Sequence, residues 1–209
     1  MHDLRTELVD RAIALASRAE RVVLGIVGEP GAGKTTLATA LITALQARGV
    51  PVAWLPMDGF HLGDSSLDAM GLRARKGAIE TFDGWGYLTA LRRVHAEVDH
   101  AVYVPGFERT LEQPIAADRV IPAGPALIVS EGNYLLDADE PWSLARAATA
   151  EVWYADVDPE IRIERLVARH VAFGKSRAEA EAWVAAVDEP NAQRIRARRD
   201  MADLIVPVD

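Results

Sequence analysis

Apolar positions along the chain alternate between helical spacing and short continuous runs. Residues 2–20 place Leu4, Leu8 and later apolar residues about one helical turn apart, which predicts an amphipathic opening helix. Residues 21–28 (RVVLGIVG) are almost entirely apolar, as expected for a strand buried on both faces of a parallel sheet. Further strand-like runs lie at residues 51–58, 101–105, 126–130, 151–157 and 203–208.

Helical segments separate these runs. They are predicted at residues 34–49, 86–98, 158–173, 176–187 and 191–201. Gly49 suits the position just past a helix end, and Asp158 followed by Pro159 suits a helix start. Strands that alternate with helices predict an α/β fold with a mainly parallel central sheet flanked by helices.

Composition bounds the class of protein. A chain of 209 residues, of which 50% are apolar, predicts a single domain over residues 1–209. The net charge of −8 argues against non-specific binding to nucleic acid or membranes. Cysteine is absent, which removes thiolate metal sites, and no apolar run approaches the roughly 20 residues of a membrane span. We expect a cytoplasmic protein with no nucleic-acid or membrane partner, and a homodimer stays open.

The strongest motif is GEPGAGKT at residues 28–35, which matches G-x-x-x-x-G-K-[ST] between a buried strand and a helix. Glycines let backbone N–H groups point at phosphate oxygens, and the helix N-terminus adds partial positive charge. Lys34 can reach the β- and γ-phosphates, and the Thr35 hydroxyl can ligate Mg²⁺. The motif predicts a P-loop NTPase fold that uses ATP and Mg²⁺. The predicted nucleotide-binding residues are Gly28, Glu29, Pro30, Gly31, Ala32, Gly33, Lys34, Thr35 and Thr36.

The rest of the chain narrows the class of P-loop protein. No N-K-x-D stretch is present to recognise guanine, and no L-S-G-G-Q-like stretch occurs. At 209 residues the chain is short for a motor or a helicase. These observations favour a small-molecule kinase.

Two acidic residues end predicted strands. Glu131 follows the run 126–130, where an acid can hold Mg²⁺ or its waters, or alternatively form part of a turn or cap. Asp58 follows the run that begins at residue 51. Ligands of parallel sheets lie outside the carboxyl ends of the strands. If the three strands are neighbours, the P-loop, Asp58 and Glu131 therefore share one edge of the sheet.

Asp58 has two interpretations. Asp-Gly between apolar stretches is typical of a hairpin, but residues 60–77 are polar, contain glycine and lack alternation, so no partner strand follows. A kinase needs a group that orients the acceptor hydroxyl and accepts its proton. The sequence therefore favours Asp58 as a catalytic base.

Five segments, GEPGAGKTT, MDGFH, SEGNYLL, RLVARH and ADLIVP, resemble the phosphoribulokinase/uridine kinase family in order and spacing. That family includes bacterial pantothenate kinase, and residues 71–83 are similar to a sequence pattern of that enzyme. The chain also resembles bacterial members described as fructose-transport-system kinases or as nucleoside/nucleotide kinase family proteins. The resemblance spans residues 22–208 and implies that Asp58 is the base and that Glu131 serves the metal.

A basic stretch lies near the C-terminus. Residues 162–199 hold 9 Lys and Arg against 5 Asp and Glu. Helical spacing puts Arg162, Arg165 and Arg169 on one face. The adjoining apolar face is predicted to contain Ile163, Leu166 and Val167.

The resemblance implies that residues of approximately 162–187 form a helical lid. Arg165, Arg169 and Lys175 would close over the phosphates, which compensates transition-state charge and excludes water. A solvated helix face is the alternative. The predicted catalytic residues are Asp58, Lys34, Arg165 and Arg169.

The acceptor pocket is predicted from proximity to these motifs and from the resemblance. Asp83 matches the first acid of the segment that holds ribose hydroxyls in uridine kinases. The candidates are His61, Lys76, Asp83, Trp85 and Arg109, with surface or core positions as the alternative. Residues 104–114 lack the His of the uridine kinase base-recognition segment, and residues 173–175 read FGK where R-G-R is usual. These departures argue against a nucleoside and leave a sugar, a polyol or a polyol acid open.

We expect an ATP- and Mg²⁺-dependent kinase that phosphorylates a hydroxyl of a small metabolite, such as a sugar, a polyol, a pantothenate-like compound or a nucleoside. The main alternative is a P-loop ATPase that acts as a switch or an assembly factor without a small-molecule acceptor. A non-catalytic nucleotide-binding module and a nucleotide kinase are further alternatives.

Overall fold

The computed structural model describes residues 6–18 and 20–208 and contains seven strands and eight α-helices in that part of the chain. The strands are β1 (Val22–Val27), β2 (Val52–Pro56), β3 (Val102–Glu108), β4 (Gln113–Ile121), β5 (Leu127–Gly132), β6 (Glu151–Asp156) and β7 (Leu204–Pro207). The helices are α1 (Thr6–Ala16), α2 (Lys34–Gln46), α3 (Asp64–Ala69), α4 (Gly84–Ala96), α5 (Trp142–Ala147), α6 (Pro159–Ala172), α7 (Arg177–Trp183) and α8 (Glu189–Arg196).

The opening helix is present as α1, and the N-terminal part of its prediction, including Leu4, lies outside the described residues. Within the described ranges, no helix is both long and apolar enough to cross a bilayer. Both capping predictions are confirmed. Gly49 has φ +72° and donates its N–H to the Gln46 carbonyl over 3.0 Å, and the Asp158 carboxylate accepts from the Glu160 N–H over 2.8 Å.

Five strands form one parallel sheet in the spatial order β2–β5–β1–β6–β7. Because β5 pairs with both β1 and β2, the ends of these three strands meet at one edge. The predicted neighbourhood of the P-loop strand with the runs that end in Asp58 and Glu131 is therefore confirmed.

Helices cover both faces of this sheet. Leu24 and Ile26 of β1 lie in one core with Leu41 of α2, while Val23 lies in the opposite core with Tyr87 of α4. Successive β1 residues thus bury their side chains on opposite faces. This explains why the sequence of β1 is apolar without alternation.

Residues 101–105 are a strand, as predicted, but they do not join the central sheet. They begin β3, which pairs with β4 in a separate antiparallel ribbon. The ribbon contacts β2 and the segment that follows it. The sequence did not predict β4, because most of its side chains are exposed and Ala117, with φ +56°, interrupts the extended backbone.

No hairpin follows β2, so the hairpin interpretation of Asp58-Gly59 is wrong. Met57–Phe60 forms one 3₁₀ turn, which places Asp58 just beyond the carboxyl end of β2. A Cβ on Gly59 would lie 2.4 Å from the Pro105 carbonyl oxygen in the ribbon. The glycine therefore allows the turn to pack directly against β3.

Helices α6 and α7, with the π-helical turn Val184–Asp188, enclose a small core of their own. This core contains Leu166, Val167, Ala180 and Val184. The predicted faces of α6 need correction. Arg162 is only 1% exposed and lies 3.0 Å from the Glu29 carboxylate, whereas Ile163 is 41% exposed. Burying Arg162 against Glu29 turns Ile163 outward.

Candidate active site

The P-loop connects β1 to α2 and takes its shape from left-handed glycines. Gly31 and Gly33 both have φ +82°, a conformation that side-chain-bearing residues rarely adopt. A Cβ on Gly31 would lie 2.9 Å from the Arg162 carbonyl oxygen, so the loop packs directly on α6. The loop leads directly into the N-terminus of α2, where helix N–H groups favour anions.

Lys34 is a buried cation without a carboxylate partner among the described residues. Its Nζ donates to the Glu29 carbonyl oxygen over 2.9 Å. Burial lowers the pKa of Lys34 to about 8, so the side chain still carries its charge at neutral pH. A buried charge is costly unless it is paired. An anion bound in the P-loop would supply the missing partner, so this site fits a phosphate group.

Glu131 lies next to the P-loop on the neighbouring strand. It is level with Ile26 of β1 and Pro56 of β2, and Thr35 donates its hydroxyl to the Glu131 carboxylate over 3.5 Å. Burial, reinforced by the Asp58 charge, raises the pKa of Glu131 to about 7. No group of three or more acidic or histidine side chains in the described ranges could hold a metal. A hydroxyl and one carboxylate nevertheless fit Mg²⁺, which retains several waters.

Asp58 faces the same region from the end of β2. Its Oδ2 accepts a hydrogen bond from Arg109 Nη2 over 2.7 Å, and its carbonyl oxygen lies 2.8 Å from the His61 ring. Burial alone would raise the pKa of Asp58, but His61, Arg109 and Lys34 outweigh it and hold that pKa below its ordinary value. The Asp58 carboxylate is therefore ionised at neutral pH.

One cavity of about 530 Å³ joins these groups. The sequence-predicted residues that line it are Pro30, Gly31, Gly33, Lys34, Thr35, Thr36, Asp58, His61, Lys76, Arg109, Glu131, Arg165 and Arg169. Lys175 lines it as well.

Five of the predicted site residues do not line this cavity. Gly28 and Ala32 belong to the P-loop and are buried. The carboxylate of Glu29 is held by Arg196 over 2.6 Å, and Glu29 lines a second cavity of about 460 Å³. Asp83 instead caps α4 by accepting from the Gly86 N–H over 2.8 Å, and Trp85 is 56% exposed. The structure does not bring Asp83 or Trp85 to the cavity that contains Asp58.

The cavity is also lined by residues that the sequence analysis missed. They include Asp64, Arg73, Phe107, Asn133 and Asn191. The rings of His61 and Phe107 lie 4.8 Å apart, and Lys76 donates to Asp64 over 2.7 Å. These residues come from α3, turns, the ribbon and α8, so no local spacing in the sequence marks them as a group.

The residues predicted to form a lid line one wall of the cavity. Arg165, Arg169 and Lys175 line the cavity, and the Lys175 ammonium lies 4.7 Å from the centre of the Trp183 ring. His170 Nε2 lies 2.8 Å from Asp188 Oδ2, which ties α6 to the π-helical turn. The wall thus presents three cations on elements that pack mainly on each other.

The chain is similar to known proteins in sequence and in fold. The chain is 33% identical over 182 residues to "Putative uridine kinase C227.14" of Schizosaccharomyces pombe, which covers 84% of this chain and 77% of the relative. It is 37% identical over 198 residues to "Uncharacterized protein YggC" of Escherichia coli, covering 93% and 81%. A crystal structure described as a putative fructose transport system kinase from Silicibacter sp. TM1040 superposes with TM-score 0.87 at 32% identity, covering 96% of this chain and 98% of that one.

A family model also matches part of the chain. The model of methylmalonyl-CoA mutase-associated GTPase MeaB matches residues 2–73, which include the P-loop, β2 and Asp58. The match leaves out β5 with Glu131 and residues 162–187, and it covers about a third of the chain.

Proposed function

The chain belongs to the phosphoribulokinase/uridine kinase family of P-loop kinases, and from this premise we propose that it transfers the γ-phosphoryl group of ATP to a hydroxyl of a small metabolite. Kinase-named relatives and structures identify the chain as an ATP-dependent phosphotransferase. The observation that supports the proposal most strongly is that Asp58, Lys34 and Glu131 line one cavity at the carboxyl ends of β1, β2 and β5.

The nucleotide half would be built from the P-loop. Lys34 and the loop N–H groups would bind the β- and γ-phosphates, which neutralise the buried ammonium. Thr35 and Glu131 would hold Mg²⁺, and the metal supplies charge neutralisation to the phosphates when it is bound. Arg165 and Arg169 would face the charge that develops during transfer.

Asp58 would act on the acceptor. The acceptor hydroxyl gives its proton to the Asp58 carboxylate, while its oxygen forms a bond to the γ-phosphorus and the bond to the bridging oxygen of ADP breaks. Because the pKa of Asp58 is low, the carboxylate first orients the hydroxyl and takes the proton late in the transfer. Asp58 is thus a positioned acceptor of hydrogen bonds throughout the physiological pH range.

We infer one kinase domain over residues 1–209 with a lid of approximately residues 162–187. The separate core of Leu166, Val167, Ala180 and Val184 supports this division, because the lid elements pack mainly on each other. The part of this unit beyond Arg162 and Leu166, which hold α6 against the P-loop, could move over the phosphates.

The test is a product assay with ATP labelled at the γ-phosphate, Mg²⁺ and a panel of sugars, polyols, pantothenate and nucleosides. We expect label to appear in one class of organic phosphate ester, identified by mass spectrometry. ATP consumption that yields only inorganic phosphate with every acceptor would instead support a P-loop ATPase switch. Label in a diphosphate product would support a nucleotide kinase, which does not need Asp58 as a base.

A further inference from the structure

The two walls of the cavity carry their positive charges differently. On one wall, here called the lid wall, the cations are Arg165, Arg169 and Lys175, and none of them forms an ion pair with a carboxylate of the described residues. The wall around Asp58 and Asp64 is here called the acceptor wall. Its cations Arg73, Lys76 and Arg109 also line the cavity, but each is paired with an acid. Unpaired cations therefore face the phosphates, and paired cations face the acceptor.

The acceptor-wall pairs are short and shared. Asp64 receives Lys76 Nζ at 2.7 Å on Oδ1 and Arg73 Nη2 at 2.6 Å on Oδ2. Lys76 also donates to the Glu112 carbonyl oxygen. Arg109 lies 2.7 Å from the Asp58 carboxylate. Two carboxylates thus neutralise most of the charge of three cations at this wall.

A wall of ion pairs selects for a particular ligand chemistry. It offers N–H donors and carboxylate acceptors side by side, which matches hydroxyl groups because each hydroxyl donates and accepts. At this wall a carboxylate or phosphate ester would find no unpaired cation, and Asp58 and Asp64 would repel it. Asn133 and Asn191 add neutral polar groups to the same wall, and Phe107 adds an apolar ring.

We propose that the acceptor is an uncharged polyhydroxyl compound, such as a sugar, a polyol or the sugar of a nucleoside, and not a carboxylate or a phosphate ester. This inference rests on the proposed kinase function and specifies its substrate class. Asp64 is the residue that sets the selection, because it neutralises Arg73 and Lys76 together.

The experiment compares matched neutral and anionic acceptors with labelled ATP and Mg²⁺. The pairs are fructose and fructose 6-phosphate, glycerol and glycerate, panthenol and pantothenate, and uridine and uridine monophosphate. We expect phosphorylation of neutral members, with kcat/KM at least tenfold above that of the anionic partner in any pair that reacts.

The variant Asp64→Asn tests the cause of this selection. It frees Lys76 and leaves Arg73 only its longer contact with Asp68, at 3.4 Å, so the ratio of kcat/KM for the anionic member over that for the neutral member is expected to rise about tenfold. Glu97→Gln is the matched control, because it removes one negative charge from a paired arginine, Arg93, outside the cavity. That control is expected to leave the ratio unchanged.

Three outcomes count against the inference. A wild-type preference for the anionic members overturns the neutral acceptor and leaves the kinase function intact. An unchanged ratio in a folded Asp64→Asn variant overturns the role of Asp64 in the selection. ATP hydrolysis to inorganic phosphate, with no acceptor of either kind phosphorylated, overturns the kinase function and the inference together.

Discussion

Arg109 Nη2 donates a hydrogen bond to Asp58 Oδ2 over 2.7 Å, which joins the antiparallel ribbon to the carboxyl end of β2. The guanidinium also lies 5.3 Å from the centre of the Phe107 ring. A charge-assisted hydrogen bond of this length fixes the orientation of the carboxylate. The candidate base is thus positioned by a segment that is not part of the central sheet.

Replacing Asp58 by Asn should separate chemistry from nucleotide binding. The amide keeps the shape of the carboxylate but cannot accept the hydroxyl proton, so we expect kcat to fall by about 10²–10⁴-fold. ATP affinity, measured by titration calorimetry, should change little. Asp99→Asn, at an 87% exposed side chain outside the cavity, is the control. Near-normal turnover in Asp58→Asn would remove Asp58 from the mechanism.

Replacing Arg109 should move the pH dependence of kcat/KM. Burial raises the pKa of Asp58, whereas His61, Arg109 and Lys34 lower it, so removing Arg109 raises that pKa. Arg109 lowers the pKa of Glu131 as well, and activity needs both carboxylates ionised, so the acid limb of Arg109→Gln should shift to higher pH by about one unit. Arg109→Lys keeps the charge and should retain most of the wild-type limb. Identical limbs in all three proteins would contradict the coupling of Arg109 to Asp58.

Arg169→Gln tests the lid. If this side chain stabilises charge that develops during transfer, kcat should fall about 10²-fold while the acceptor KM changes little. Arg177→Gln, at an arginine that is 81% exposed on α7 and does not line the cavity, should behave like the wild type. Equal kinetics for the two variants would indicate that the Arg169 face is only solvated.

Arg21 should matter for stability alone. It is 2% exposed and donates five hydrogen bonds to backbone carbonyls, including those of Val94 at 3.0 Å and Pro122 at 2.6 Å. Arg21→Met leaves these carbonyls without their donor, so the free energy of unfolding should fall by about 3 kcal/mol. Urea denaturation measures this change, and Arg18→Met, at an exposed residue, is the control. A loss below about 1 kcal/mol would mean that water replaces Arg21 readily.

Gly59→Ala tests the packing behind the candidate base. The added Cβ would lie 2.4 Å from the Pro105 carbonyl oxygen, so either the ribbon or the Asp58 turn must shift. Even a 1 Å displacement of a reacting group can lower turnover about 10²-fold, and we expect a loss of that size. Gly63→Ala, whose Cβ would lie 3.6 Å from the Gln113 side-chain oxygen, should retain activity. Circular dichroism of both variants establishes that they fold.

The parallel sheet and the P-loop half of the site could be predicted from the sequence because their signals are local. The uninterrupted apolar run of β1 reports burial on both faces, and the Gly, Lys and Thr positions of residues 28–35 report a fixed backbone shape. Gly49 and Asp158 marked helix ends for the same reason. In each case a few neighbouring residues determine the conformation.

The acceptor half could not be predicted in the same way. Asp83 looked like a pocket acid, but the start of α4 uses its carboxylate as a cap. Arg162 had the spacing of a lid cation, but Glu29, 133 positions away in the sequence, draws it under the P-loop. The residues that do meet at the cavity come from α3, turns, the ribbon and α8. Only tertiary contacts bring them together.

The ribbon β3–β4 stands apart from the central sheet, yet it supplies Phe107 and Arg109 to the cavity. Under the proposed function, substitutions between residues 102 and 121 would alter the choice of acceptor, while the P-loop residues that would bind ATP stay unchanged. Such a division would allow relatives to change the phosphoryl acceptor while they keep the same residues for ATP. Exchanging the ribbon between family members is therefore a direct way to change the acceptor preference of such a kinase.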